Sequence, residues 1–202
     1  MFSGSAPEIN DGDANGKNKA HLRFFGSAAH LNALHKDDGL PKLVAVGYEK
    51  HLLIDGSNIL HAWPELRLLL RRERDVAREK LLQIVRILHD AEQVRLTVVF
   101  DGRGSELVVE HPGDATTFSL VFTPTGMTAD DAIEQLVGKA ADAAVCLVAT
   151  DDCAERQTIE AVGATGLSAE ELRAWVTRTE QHQQTQLASQ RRKNETIWKN
   201  KI

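Results

Sequence analysis

Four aspartates stand where a chain of alternating strands and helices would gather them. Asp55 ends the run His51-Leu52-Leu53-Ile54, Asp101 ends Arg95–Phe100, and Asp152 follows Val145–Ala149. Asp130 opens the segment Thr128-Ala129-Asp130-Asp131-Ala132-Ile133-Glu134. Carboxylates held within a few Å repel and raise one another's pKa unless a proton or cation intervenes. Hard oxygen donors with no His or Cys among them suit Mg²⁺ or Mn²⁺. Such ions usually keep waters and handle phosphates, and a pair roughly 3.5–4 Å apart can drive phosphodiester hydrolysis. Asp131 and Asp151 adjoin the set and extend the candidate metal ligands. Asn58, one turn past Asp55, could orient a carboxylate or donate to a phosphate oxygen, or could simply cap the turn. Arg103 could steer a phosphate backbone.

Each acid also has a purely structural explanation. Asp130 and Asp131 would lie in the first turn of a helix, where the dipole favours carboxylates and Thr128 can cap. Asp152 with Glu155 could form a capping box. Asp101-Gly102 could be only a turn. The metal reading rests on the four acids meeting.

The elements must therefore bring them together. Leu52–Ile54, Arg95–Phe100 and Val145–Ala149 are short apolar runs closed by turn residues, as in buried parallel strands. Leu107–Glu110 and Phe118–Phe122 read as two further strands. Helical spacing covers Ala77, Leu81, Ile84, Val85, Leu88 and Ala91, then Ala129 to Ala140, then Ala154–Val162 up to Gly163. Ser168-Ala169-Glu170-Glu171 starts a last helix through Leu172, Trp175 and Val176. The alternation predicts an α/β fold, with a mainly parallel central sheet covered by helices on both faces. Parallel strands would place Asp55, Asp101 and Asp152 on one edge, where open α/β sheets bind ligands. Arg103-Gly104-Ser105 reads as a flexible loop. Residues 1–48 read as an extension, largely disordered by composition. Residues 49–177 form the predicted domain, and 178–202 a polar tail with Arg191, Arg192, Lys193, Lys199 and Lys201.

Bulk properties exclude several classes. The 202 residues are 42% hydrophobic and 26% charged, as in ordinary globular domains. No apolar run approaches the ~20 residues of a membrane span, and no secretory signal pattern opens the chain, so cytoplasmic location is the expectation. The net charge of −5 argues against a general nucleic-acid coat but allows a local basic patch. Arg71, Arg72, Arg74, Arg78, Lys80 and Arg86 lie among acids on one helix face, explained either as a solvated face with local ion pairs or as a helix whose basic N-terminal half leans towards a phosphate backbone. The two cysteines are too few for a disulfide framework. The histidines lack ligand spacing; His51 and His61 flank the first strand and are assigned packing or surface roles. Trp63 and Trp175 read as packing anchors.

Leu53-Ile54-Asp55-Gly56-Ser57-Asn58, Val98-Val99-Phe100-Asp101, Thr128–Glu134 and Val148-Ala149-Thr150-Asp151-Asp152 occur in the order and spacing of NYN domains. With Ala62–Leu66 and Leu167–Leu172, residues 50–177 resemble the YacP-like branch of the PIN-like nuclease superfamily. The resemblance implies a three-layer α/β/α sandwich. It further implies a metal-dependent ribonuclease, an endonuclease using Mg²⁺ or Mn²⁺, and in one branch action on messenger RNA at the ribosome. Asp55 and Asn58 match the first-strand motif, Asp101 the second, Asp130 the helix-opening acid with Asp131 beside it, and Asp152 the last motif, with Asp151 at its variable position. Ser57 departs from the aromatic common in that branch. RNA as substrate comes from the resemblance and from no residue here.

Rival readings fit less well. A HAD-type phosphatase needs a second Asp two residues after Asp55, where Ser57 stands. No Gly-x-Gly-x-x-Gly follows any strand, which removes a dinucleotide-binding fold. A catalytically silent RNA-binding or ribosome-associated module remains the alternative from a different class, separable by metal-dependent cleavage.

Overall fold

The computed structural model describes residues 49–199, without the side chains of Arg103 and of residues 196–199. The extension expected over residues 1–48 lies outside the described residues. Alternation along the strands sets the layers, because neighbouring side chains point to opposite faces. In β1 (His51–Asp55), Leu52 and Ile54 join one core while Leu53 joins the other. In β2 (Arg95–Gly104), Leu96, Val98 and Phe100 face the first core and Val99 the second. The first core is covered by α1 (Gly56–Ala62), α2 (Pro64–Leu70), α3 (Arg74–Glu92) and the start of α6 (Ala169–Lys199). The second is covered by α4 (Ala129–Gly138) and α5 (Cys153–Ala161). The result is the expected three-layer α/β/α sandwich.

Six strands run in the order β3-β4-β2-β1-β5-β6. Here β3 is Val108–Glu110, β4 is Phe118–Pro124, β5 is Cys146–Ala149 and β6 is Thr165–Leu167. All neighbours are parallel except β3, which pairs antiparallel with β4. The chain leaves β1 through α1–α3 to reach β2 on one side, and leaves β5 through α5 to reach β6 on the other. Adjacent connections diverging in this way open a crevice at the carboxyl ends of β1 and β5, the usual ligand position in such sheets. Asp55 and Asp152 stand on either side of it.

Local chemistry explains several departures from the expected boundaries. Gly56-Ser57-Asn58 is the first turn of α1 and not merely a turn, because the Asp55 carboxylate caps it from Asn58 N–H at 3.0 Å. Trp63 ends that helix and Pro64 starts the next, where a missing N–H costs nothing. Trp63 itself is buried; its Nε1 donates to the Ala169 carbonyl at 3.0 Å, and Arg173, ion-paired with Glu65, lies over the ring. Asp101-Gly102 is no turn: β2 runs on to Gly104, with an irregularity after Phe100, and pairing with β4 resumes at Gly104 opposite Pro124. The Arg103-Gly104 segment expected as loop is thus strand. β6, which lacks an apolar run, was not expected at all. Helix α6 continues through the polar residues 178–199.

Two glycines are required by close approach. A Cβ on Gly56 would fall 2.3 Å from Phe100 Cε1, and one on Gly102 2.1 Å from the Thr123 carbonyl oxygen. Phe100 is buried, with its ring against Phe122 and Arg78. Gly56→Ala is therefore expected to destabilise the fold by about 2–3 kcal/mol. Urea unfolding of that variant should show it, and adding Phe100→Leu should recover part of the loss. An unchanged urea midpoint would mean that the ring can yield.

Candidate metal centre

The acids do converge, though not in the set expected from the sequence. Asp55 is 5% exposed at the end of β1, its Oδ1 held by Asn58 N–H. Burial, with Asp130 and Asp101 nearby, pushes its pKa up to about 7 despite the Asn58 and Ser57 N–H groups that favour the charge. Asp130 occupies the first turn of α4, half-buried. Burial and the Asp152 charge raise it above the usual carboxylate range, against a hydrogen bond with Asp55. Glu155 is the third member. It is 3% exposed in the first turn of α5, and neither carboxylate oxygen has a hydrogen-bond partner of good geometry. Burial comes first in pushing it up to about 8; Thr150 lies close enough to oppose this, and Asp130, Asp55 and Asp152 add to it. One carboxylate oxygen from each of Asp55, Asp130 and Glu155 lies within 4.8 Å of the other two.

Asp101 and Asp152 stand around this trio. Asp101 Oδ1 accepts from Ala129 N–H at 2.9 Å, joining β2 to the start of α4, and its charge reaches both Asp55 and Asp130. Ser57 Oγ accepts from Asp101 N–H at 3.3 Å. Asp152 Oδ1 caps α5, accepting from Ala154 N–H at 2.7 Å and Glu155 N–H at 3.2 Å, and its charge reaches Asp130 and Glu155.

Two other acids are engaged in capping and do not enter the trio. Asp131 forms a reciprocal capping box with Thr128, at 2.9 and 3.1 Å, which lowers its pKa. Asp151 Oδ1 accepts from Ala169 N–H at 2.7 Å, fixing the start of α6. Asn58 orients Asp55 through its backbone, while its side-chain Oδ1 accepts from Asp151 N–H at 3.0 Å and ties the ends of β1 and β5 together. The Arg103 side chain lies outside the described residues. His51 sits at the opposite end of β1, bonded to Thr97 Oγ1 at 2.8 Å, and burial drops its pKa to about 4. His61 is exposed at the end of α1, and Cys146 is a buried residue of β5.

Glu155 is the residue that sequence reasoning missed. Its position three after Asp152 suggests a capping box, but Thr150 Oγ1 already accepts from Asp152 N–H at 3.1 Å. The Glu155 side chain is left free to turn inward. A Thr two residues before the capping acid was the available signal.

The trio fits a divalent cation by its donors. All are oxygens, two belong to a buried group with no well-formed hydrogen bond, and the charged groups that shift all three are other carboxylates. The YacP-like NYN domain matches residues 52–202. The chain belongs to this family. The NYN domain here resembles the uncharacterized protein YacP of Bacillus subtilis (strain 168), 35% identical over 124 residues, which are 60% of this chain and 71% of that protein. Two crystal structures of Rae1 (YacP) from Bacillus subtilis share its fold at 30% identity over 69% of this chain. A point-mutant form gives a TM-score of 0.59 over 82% of its own length, and the other gives 0.57 over 80%. The NYN domain is a member of the PIN-like nuclease superfamily, which implies a nuclease-type function. Among its described residues no helix is long and apolar enough to cross a membrane.

Proposed function

We propose that this chain is a metal-dependent endoribonuclease that hydrolyses RNA phosphodiester bonds, with residues 49–177 as the catalytic unit. The observation that carries the proposal is the meeting of the buried Asp55 and Glu155 with the half-buried Asp130 at the carboxyl ends of β1 and β5. Burying carboxylates without a neutralising partner is costly, and proteins keep such groups where function needs them. A divalent cation bound there, Mg²⁺ or Mn²⁺, supplies Lewis acidity towards the phosphate and lowers the pKa of water.

This chain's own residues do the positioning. Asn58 N–H holds Asp55, Ala129 N–H holds Asp101, and two N–H groups at the start of α5 hold Asp152. Asp55, Asp101 and Asp152 are thus each held by a backbone donor at a strand end or helix start, so these three need little reorganisation when a cation and phosphate arrive. Asn58 links Asp151 to α1, keeping the two walls of the crevice in register. The family supports RNA as substrate; a ribosome-associated messenger RNA extends the same reading. A catalytically silent RNA-binding module would have no use for two buried carboxylates crowded against a third, which favours the enzyme.

The test is cleavage of a circular, internally labelled single-stranded RNA, which has no ends for an exonuclease. Product should form with Mg²⁺ or Mn²⁺ and stop with EDTA. No metal-dependent product at high enzyme concentration would sink the enzyme reading and leave the binding module.

A further inference from the structure

A strand delivering a phosphate to the trio must leave along the surface beside it, and among the described residues two grooves offer a path. One, about 500 Å³, begins at Asp101 and Gly102 and runs along the first turn of α3 past Arg74 and Arg78 to Phe122. The other, about 400 Å³, lies along α4 and is lined by Asp131 and Glu134 with Gly126, Met127 and Gln135, with no cation among its lining residues. A polyanion is repelled by the second and is offered two guanidinium groups by the first.

The first groove is also built to hold its arginine. The Arg78 guanidinium lies 5.1 Å from the Phe100 ring centre and 5.2 Å from that of Phe122, and those two rings stack on each other. Its Nη2 donates to the Asp101 carbonyl at 3.3 Å and its Nη1 to Asp75 at 3.4 Å. It is only 20% exposed, so its orientation is set before any ligand arrives. The groove contains carboxylates of its own. Asp75 is paired with Arg78, Asp101 belongs to the metal centre, and Glu106 lies on the far wall. Arg74, the exposed first residue of α3, is the cation most accessible to a ligand.

We propose that the RNA strand flanking the cut phosphate lies in the groove between α3 and the β2–β4 edge, with its sugar-phosphate backbone on Arg74 and Arg78. This rests on the nuclease reading for the identity of the strand, but binding can be measured without cleavage. Arg78 fixes the strand irregularity that carries Asp101 and adds its positive charge to the groove wall. Arg74 adds a phosphate contact one helical turn away. The Phe122 ring beneath offers an apolar surface beside the backbone path.

The experiment uses the full chain and a fluorescently labelled single-stranded RNA, with anisotropy read in EDTA so that no cleavage occurs. Arg74→Ala is expected to weaken the Kd about fivefold and to reduce the slope of log Kd against log salt by about 0.7, the value for one lost contact to a single strand. Glu134→Gln, in the other groove, is expected to leave the Kd within twofold. Wild-type binding at the same Kd and salt slope in Arg74→Ala overturns the groove. So does a Kd that Glu134→Gln tightens by more than Arg74→Ala weakens it, because the strand would then run along α4. Cleavage of the circular RNA separates the two readings. A protein that cleaves but ignores Arg74→Ala keeps the nuclease and loses the groove. One that binds, is weakened by Arg74→Ala and never cleaves keeps the groove and loses the nuclease.

Discussion

Replacing Glu155 by glutamine is expected to abolish most cleavage and yet make the metal-free protein more stable at alkaline pH. Removing one charged ligand from a site that stabilises developing charge costs about 10²–10³-fold in rate. The stability change has the opposite sign. Glu155 is raised from 4.5 to about 8, so the folded state resists its ionisation more than the unfolded chain does. The cost of that resistance starts as pH passes 4.5 and is fully present above about 8. Glutamine cannot ionise and escapes it. The expected gain at pH 8.5 is about 2–3 kcal/mol, below the limit set by the shift because a buried amide must find its own partners. At pH 4 the gain should vanish. Urea unfolding in EDTA at the two pH values measures it, and saturating Mn²⁺ should reverse the order by stabilising the wild type more. A variant that is less stable at every pH, or that still cleaves at the wild-type rate, would remove Glu155 from the site.

Cation binding should be strongly linked to protons. Burial pushes Asp55 up to about 7 and Glu155 up to about 8, and raises Asp130 as well. At pH 6 Asp55 and Glu155 are mostly protonated in the free site, and a cation must displace those protons to bind. The apparent affinity for Mn²⁺ should therefore rise by roughly tenfold or more per pH unit between 6 and 7, and level off above 8. Between one and two protons should be released per cation near pH 7. Calorimetry in buffers of different ionisation enthalpy counts them directly. The stability of the metal-free protein should fall over the range where its affinity climbs, from about pH 5 to 8, because all three groups are raised in the folded state. Proton release near zero at pH 6.5, with a flat affinity, would show that the trio is not what the cation meets.

Much of this arrangement was legible in the sequence because the signals are local. Asp55 follows three apolar residues and precedes glycine, a pattern that a buried strand ending at a ligand edge explains. Asp130 follows a capping threonine and Asp152 follows an apolar strand, so both fall at element starts. Alternation in β1 and β2 gives both faces of the sheet. What was not legible depends on partners distant in the chain. The role of Asp151 requires Ala169, and that of Asn58 requires Asp151, 93 residues away. Glu155 is disguised because the first turn of a helix is where a carboxylate needs no further reason. The three-residue β6, with Gly166 at its centre, acquires its strand character only by pairing with β5. The C-terminal half of α6 has a weak apolar face, so periodicity does not reveal it; its Gln, Arg and Glu residues are nonetheless good helix formers. Asp101 looks from the sequence like the end of its strand, whereas the pairing is irregular there and the strand continues, with Gly102 packed against Thr123.

The claim beneath all of this is that Asp55, Asp130 and Glu155 together hold a divalent cation. The most direct measurement is a crystal structure of the full chain grown at pH 8 with Mn²⁺, with diffraction data recorded at the manganese absorption edge. The account predicts an anomalous peak in the crevice between β1 and β5, in contact with oxygens of those three side chains. A peak only on the Asp131 and Glu134 side of α4, or none at millimolar Mn²⁺, would contradict it.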